Sequence, residues 1–113
     1  MQDETAETCV VLVMCGTKEE ARRIGRSLVE ERLAACANLA GPIESIFHWE
    51  GKVEEEEETL LMLKTRSEHF EPLAGRVREL HSYEVPEVVA LPIAAGLGAY
   101  LRWIGEETGA RGE

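Results

Sequence analysis

The side chains best suited to chemistry are three cysteines, three histidines and a run of five glutamates, Glu54–Glu58. A thiolate and an imidazole favour copper or zinc, whereas carboxylates prefer calcium, magnesium or manganese. Each type also has a plainer explanation. Free cysteines are commonly buried as small apolar side chains, and a row of charges on a strand is usually a solvated edge that discourages aggregation.

The spacing of the cysteines argues against disulfides. Cys9 and Cys15 are six residues apart, and on one strand that separation is about 20 Å, far beyond the reach of an S–S bond. With Cys36 the count is odd, and no CxxC spacing occurs. We expect a reduced, cytoplasmic protein. Residues 1–4 lack the basic start of a signal peptide and no apolar stretch could span a membrane, so no membrane association is expected.

Length and charge narrow the function classes. The 113 residues carry 12 basic and 22 acidic side chains, a net charge of −10, which would repel phosphate backbones and attract cations. We therefore expect no nucleic-acid partner. A single domain over residues 1–113, with flexible tails at 1–7 and 109–113, is large enough to fold without a disulfide or a metal. The common catalytic signatures, such as the P-loop and HExxH, are missing, so we expect no enzyme.

The first half of the chain predicts a strand and a helix followed by a long ribbon. The apolar run Thr8–Cys15 predicts a central strand, and the capping box formed by Thr17 and Glu20 predicts a helix from about residue 18 to residue 32. The next strand begins at Cys36. It should be bent or bulged at Gly41-Pro42, because proline cannot donate to a ladder.

The ribbon folds back at Glu50-Gly51, with apolar and polar residues alternating on both sides. The thirteen residues 52–64 extend to roughly 43 Å, whereas a compact domain of this length is about 34 Å across. The ribbon should therefore overhang its own domain and need a second chain to cover it.

The second half predicts a helix, a short strand at about residues 87–93 and a final helix. Ser67 or Thr65 can cap the first of these helices. Its apolar stripe comprises Phe70, Leu73, Ala74, Val77 and His81. Three residues of the final helix should face inward: Tyr100, Trp103 and Ile104.

The order βαββαβ with an additional C-terminal helix indicates an α+β fold of ferredoxin-like type, in which an antiparallel sheet carries both main helices on one face. The segments Val10–Met14, Leu60–Leu63 and Val88–Leu91 are apolar on both faces. Since the helices cover only one face, the other must be buried elsewhere. A closed homo-oligomer is the natural solution.

Five segments resemble the CutA family of divalent-cation tolerance proteins in order and spacing. They are Glu31–Asn38, Trp49–Lys52, Leu63–Thr65, His81–Glu87 and Tyr100–Trp103. The resemblance extends over about residues 9–108. It implies a tight homotrimer similar to PII signalling proteins, with the long hairpin reaching across neighbouring subunits. The family is associated with tolerance to copper and other divalent metals, and members bind copper.

The resemblance also implies metal ligands. In some bacterial relatives the suggested copper ligands are a cysteine ending the first strand and two adjacent histidines. Cys15 matches the cysteine and His81 the second histidine, whereas Leu80 replaces the first histidine and Ser82 replaces the proline that usually follows. Two ligands do not complete a site. The alternative is that Cys15 is a buried strand-end thiol and His81 a residue stabilised by a helix dipole.

A PII-like sensor with a small-ligand cleft between subunits is the alternative function, and the sequence identifies no protein partner for it. Aromatic walls with few polar groups are typical of such pockets. Five motif residues could line the cleft: Trp49, Lys64, Tyr83, Glu87 and Trp103. Tryptophan and tyrosine are also enriched at protein interfaces, and Lys64 and Glu87 could simply form an ion pair.

Overall fold

The elements follow one another in the predicted order. The computed structural model describes residues 7–109, so the expected tails lie almost entirely outside the described residues. The strands are β1 (Thr8–Cys15), β2 (Cys36–Trp49), β3 (Lys52–Arg66) and β4 (Val88–Pro92). The helices are α1 (Lys18–Glu30), α2 (Phe70–Leu80) and α3 (Gly98–Glu107). None of the helices in this part of the chain is long and apolar enough to cross a membrane.

The four strands form one sheet in the order β2-β3-β1-β4, and each neighbouring pair is antiparallel. This is the ferredoxin-like α+β arrangement that the sequence predicts. Alternate residues of β1 enter the core between the sheet and helices α1 and α2, and Val11 and Val13 are fully buried there. The buried neighbours come from β3, α1 and α2, and include Leu61, Leu63, Ile24, Leu28, Leu73 and Val77.

The opposite face of the sheet is open in the protomer. Leu12 lies beside Met62 of β3 and Val89 of β4, and directly opposed side chains share a face. Val89 is 44% exposed and Leu91, further along the same strand, is 52% exposed. The prediction of one uncovered apolar face is therefore confirmed for a single chain.

The ribbon of β2 and β3 runs from the pair Cys36–Lys64 to the pair Trp49–Lys52. A register shift between Ala40 and Ile43 gives the bulge predicted at Gly41-Pro42. At the tip, Glu50 and Gly51 have φ values of 50° and 82°, and positive φ at both central residues is the twist that tight hairpins favour. The protomer measures 51 × 25 × 21 Å, so the predicted overhang is confirmed.

Some local predictions were wrong. Neither Ser67 nor Thr65 caps α2, because Ser67–His69 forms a 3₁₀ turn and the Thr65 hydroxyl donates to the Leu33 carbonyl at 2.8 Å. Helix α1 ends at Glu30 rather than Arg32, since Arg32 adopts a left-handed φ of 63°.

The predicted inward face of α3 was also only partly right. Ile104 is fully buried, but Tyr100 and Trp103 remain 40% and 37% exposed and stack on each other with ring centroids 5.6 Å apart. Arg66 fixes this helix to the end of β3 by donating to the Gly105 carbonyl.

Candidate metal centre

Three buried side chains converge where β1 ends, α1 begins and α2 ends. Cys15 is the last residue of β1, Glu20 lies in the first turn of α1, and His81 directly follows α2. One sulfur, oxygen or nitrogen atom from each lies within 4.8 Å of the others. The structure thus brings together the two metal ligands that the resemblance implies, and it adds a carboxylate that the sequence suggested only as part of a helix cap.

Glu20 reaches this position through the start of α1. The Thr17 hydroxyl accepts a hydrogen bond from the Glu20 amide at 3.1 Å, which is one half of the predicted capping box. The Glu20 carboxylate accepts instead from two other amides, those of Gly16 at 3.3 Å and Ser82 at 2.7 Å. The box motif already predicts a carboxylate turned back toward the preceding strand, and Cys15 ends that strand. This was the signal that could have identified Glu20.

The hydrogen bonds of His81 define its tautomer. Nε2 lies 2.8 Å from the Met14 carbonyl oxygen, which can only accept, so Nε2 carries the proton. Nδ1 then accepts from the Tyr83 amide at 3.0 Å. The ring is therefore neutral, and Nδ1 points into the cluster, 3.7 Å from a Glu20 carboxylate oxygen.

The cluster combines one ionised carboxylate with two neutral groups. Burial raises the pKa of Cys15 to about 12, with further contributions from the charges of Glu20 and Glu58, so the thiol keeps its proton at neutral pH. Burial alone would raise the pKa of Glu20, but hydrogen bonds from Ser82 and Gly16 hold it below its usual value. The nearest cation, Arg23, is 4.0 Å away and 55% exposed. The buried negative charge is therefore weakly compensated.

Tyr83 and Glu58 extend the cluster toward the ribbon. The Tyr83 hydroxyl donates to the Glu58 carboxylate at 2.9 Å, and burial together with this bond raises the pKa of Tyr83. Beside them lies a cavity of about 510 Å³. Its lining comprises Gly16–Lys18, Leu39–Pro42 and residues 57–59. Glu58 is 9% exposed, unlike Glu55, Glu56 and Glu57 of the same run, which are exposed on the ribbon.

The five residues suggested for a small-ligand cleft are dispersed within one protomer. Tyr83 is half-buried beside the cluster, whereas Trp49 lies at the ribbon tip and is 61% exposed. Lys64 lies on β3 and donates to the Asn38 side chain at 2.7 Å. Among residues 7–109 no ion pair joins Lys64 to Glu87. Glu87 is exposed and lies just before β4, and Trp103 lies on α3. A cleft built from all five would require more than one copy, and it stays a prediction.

The fold and the buried cluster define a ferredoxin-like α+β protein with a mixed thiol, carboxylate and imidazole centre under one end of its sheet. The family model described as "CutA1 divalent ion tolerance protein" matches residues 9–107. The chain belongs to this family. That family is named for tolerance to divalent ions rather than for a reaction.

Individual relatives agree with this assignment. The divalent-cation tolerance protein CutA of Thermus thermophilus is 51% identical over 100 residues, which are 88% of this chain and 97% of the relative. Human protein CutA is 47% identical over 96 residues, but these are 85% of this chain and only 54% of the longer human protein.

Solved structures show the same fold. The Thermus thermophilus structure superposes with a TM-score of 0.88 at 50% identity and covers 90% of this chain and 99% of that one. CutA1 from Oryza sativa gives a TM-score of 0.92 at 41% identity and covers 96% of this chain and all of the rice chain.

Proposed function

We propose that this protein binds divalent cations, copper first, as part of a cellular response to metal ions, and that it catalyses no reaction. One observation carries the proposal. Cys15 and His81, 66 positions apart in the sequence, place a sulfur and a ring nitrogen within 4.8 Å of each other beneath the sheet. The descriptions of the relatives as divalent-cation tolerance proteins support the same function.

The chemistry of the two side chains fits such an ion. Thiolate and imidazole are ligands that copper and zinc accept. Histidines that bind metals usually donate their other ring N–H to a carbonyl or a carboxylate, which fixes the ring. The Nε2–H of His81 already donates to the Met14 carbonyl in this way, so Nδ1 is the nitrogen that would coordinate.

The proposal includes a homotrimer in the cytoplasm. The open apolar sheet face and the overhanging ribbon support an assembly, since a single chain leaves Ile46, Val53 and Leu91 more than half exposed. A reducing compartment suits the function, because the thiol of Cys15 must remain free to bind.

Titration calorimetry of reduced protein with Zn²⁺, Cu²⁺ and Cu⁺ tests the function. We expect saturable binding that is lost or weakened at least about tenfold in Cys15→Ala and His81→Ala, because each removes a coordinating atom. Cys36→Ala and His48→Ala are matched controls, since they remove a thiol and an imidazole that lie elsewhere in the chain. Absence of binding, or equal binding by all four variants, contradicts the proposal.

A further inference from the structure

The three donor atoms of the cluster are closed off from solvent. Cys15 is completely buried, Glu20 is 8% exposed, and the side chain of His81 is fully buried. The connection from α2 to β4, residues 82–87, donates two backbone hydrogen bonds into the cluster. Its own side chains are largely exposed, and Val85 reaches 86% exposure. This connection is therefore held by specific hydrogen bonds more than by apolar packing.

The acceptors for those bonds are the same groups that would bind a cation. The Ser82 amide donates to the Glu20 carboxylate, and the Tyr83 amide donates to His81 Nδ1. Because Nε2 is protonated, Nδ1 has a single lone pair. It can accept from the Tyr83 amide or coordinate an ion, but it cannot do both.

The charge of Glu20 gives the cluster a preference among ions. A buried charge is costly unless it is compensated. With Cys15 as thiolate, Glu20 as carboxylate and His81 neutral, the three ligands contribute two negative charges, which a divalent ion balances. The other two charges that act on Cys15, those of Glu58 and Arg23, are of opposite sign. A monovalent ion such as Cu⁺ would leave one buried negative charge uncompensated.

We propose that Glu20 is the third ligand of the centre and the residue that makes it select a divalent over a monovalent ion, and that it exchanges its contact with the Ser82 amide for the ion. This inference rests on the proposed function. Binding also transfers the Cys15 thiol proton to solvent. The amides of Ser82 and Tyr83 then lose their acceptors, so the 82–87 connection loosens when the site is filled.

The test compares Glu20→Gln with the wild type in Zn²⁺ and Cu⁺ titrations of reduced protein. Glutamine keeps the shape and an oxygen that can accept from the Ser82 amide, but it removes the charge. We expect the Zn²⁺ affinity to fall by about 10- to 100-fold, with a smaller loss, or a gain, for Cu⁺. Glu56→Gln is the matched control on the exposed ribbon and should change neither affinity.

The outcomes separate this inference from the proposed function. If wild-type protein binds Zn²⁺ through Cys15 and His81 but Glu20→Gln binds with the same affinity and the same preference, the role of Glu20 is overturned and the function stands. If wild-type protein binds Cu⁺ but not Zn²⁺, the preference for a divalent ion is overturned; if it binds neither Zn²⁺ nor copper, both are overturned.

Amide hydrogen exchange of the wild-type protein is a second test of the inference, and it does not depend on whether a variant folds. We expect the Ser82 amide to exchange at least about tenfold faster in the Zn²⁺-saturated protein than in the apoprotein, because its hydrogen bond to Glu20 is given up. Exchange at Gly75, which lies on α2 outside the cluster, should not change. Unaltered exchange at Ser82 in zinc-saturated protein overturns the inference, whatever happens at Tyr83, because the Tyr83 amide reports on His81.

Discussion

Glutamates occur in two regions of this protein, buried in the cluster and exposed on the ribbon, and the surroundings of their carboxylates differ. Glu20 is 8% exposed and its carboxylate receives two backbone amides. Glu55, Glu56 and Glu57 are exposed on the outer part of the ribbon. The residue type is the same, but only the position between a strand end and a helix start turns the carboxylate into part of a possible ligand set.

Apolar residues show the same contrast. At the cluster end, Val13 and Cys15 are fully buried by elements of their own chain. On the ribbon, Ile46 and Val53 are 64% and 63% exposed. The cluster is therefore formed within one protomer, whereas the ribbon and the open sheet face leave apolar side chains uncovered.

The largest effect is expected from a charge on the open face. Leu12→Asp should abolish assembly, because each contact between chains would have to bury a carboxylate, at a cost of several kcal/mol. Sedimentation at micromolar concentration should give three chains of 12.6 kDa for the wild type and one for the variant. The control is Gly75→Asp on α2, where an added Cβ meets no atom within 4 Å. Equal masses for Leu12→Asp and the wild type would refute the open-face interface.

The second largest effect is expected when the free energies of unfolding are compared for variants of a buried and an exposed glutamate. Glu20→Ala leaves the Gly16 and Ser82 amides without their acceptor, and we expect a loss of about 3 kcal/mol in the free energy of unfolding, since a buried unsatisfied group costs about 1–3 kcal/mol. Glu56→Ala should have little effect, as is usual for surface substitutions. Denaturant unfolding at pH 7 measures both. Similar denaturation midpoints for the two variants would mean that the Glu20 carboxylate stabilises the fold no more than the exposed Glu56 carboxylate does.

Local signals account for what the sequence predicted well. The apolar run of β1, the cap at Thr17 and the proline at the bulge each act within a few residues, so the strand, the start of α1 and the bent ribbon were all predictable. The incorrect prediction that Thr65 or Ser67 caps α2 shows where local patterns fail. The Thr65 hydroxyl is used by the Leu33 carbonyl, 32 positions away, and no local pattern indicates such a partner.

The residues of the candidate site could be predicted only in part, for the same reason. Cys15 and His81 could be named from the resemblance, but their proximity depends on packing α2 against the end of β1. Glu20 was missed as a candidate ligand because its capping role already explained it, while its bond to Ser82 spans 62 positions. The inward positions predicted for Tyr100 and Trp103 are wrong for the protomer, where they are 40% and 37% exposed, because apolar character alone does not reveal which surface covers a side chain.

A smaller effect, specific to the buried region, concerns alkaline pH. The Cys15 thiol titrates near its ordinary pKa of 9.0 when unfolded and at about 12 when folded, because burial and the nearby Glu20 and Glu58 charges disfavour the thiolate. The contribution of the Cys15 thiol to the free energy of unfolding is fully present below pH 9, where the thiol is protonated in both states. Between these pKa values the unfolded chain binds fewer protons than the folded one, so stability falls as pH rises.

Unfolding experiments at pH 8 and at pH 10.5 measure this contribution. From pH 8 to 10.5 we expect wild-type protein to lose about 2 kcal/mol more than Cys15→Ala, which is the value of a difference of about 1.5 pH units above the unfolded pKa. Cys9 and Tyr83 also have raised pKa values, but they are present in both proteins and cancel in the comparison. Equal losses in the two proteins would show that the Cys15 thiol ionises in the folded state as readily as in the unfolded chain, contrary to its complete burial.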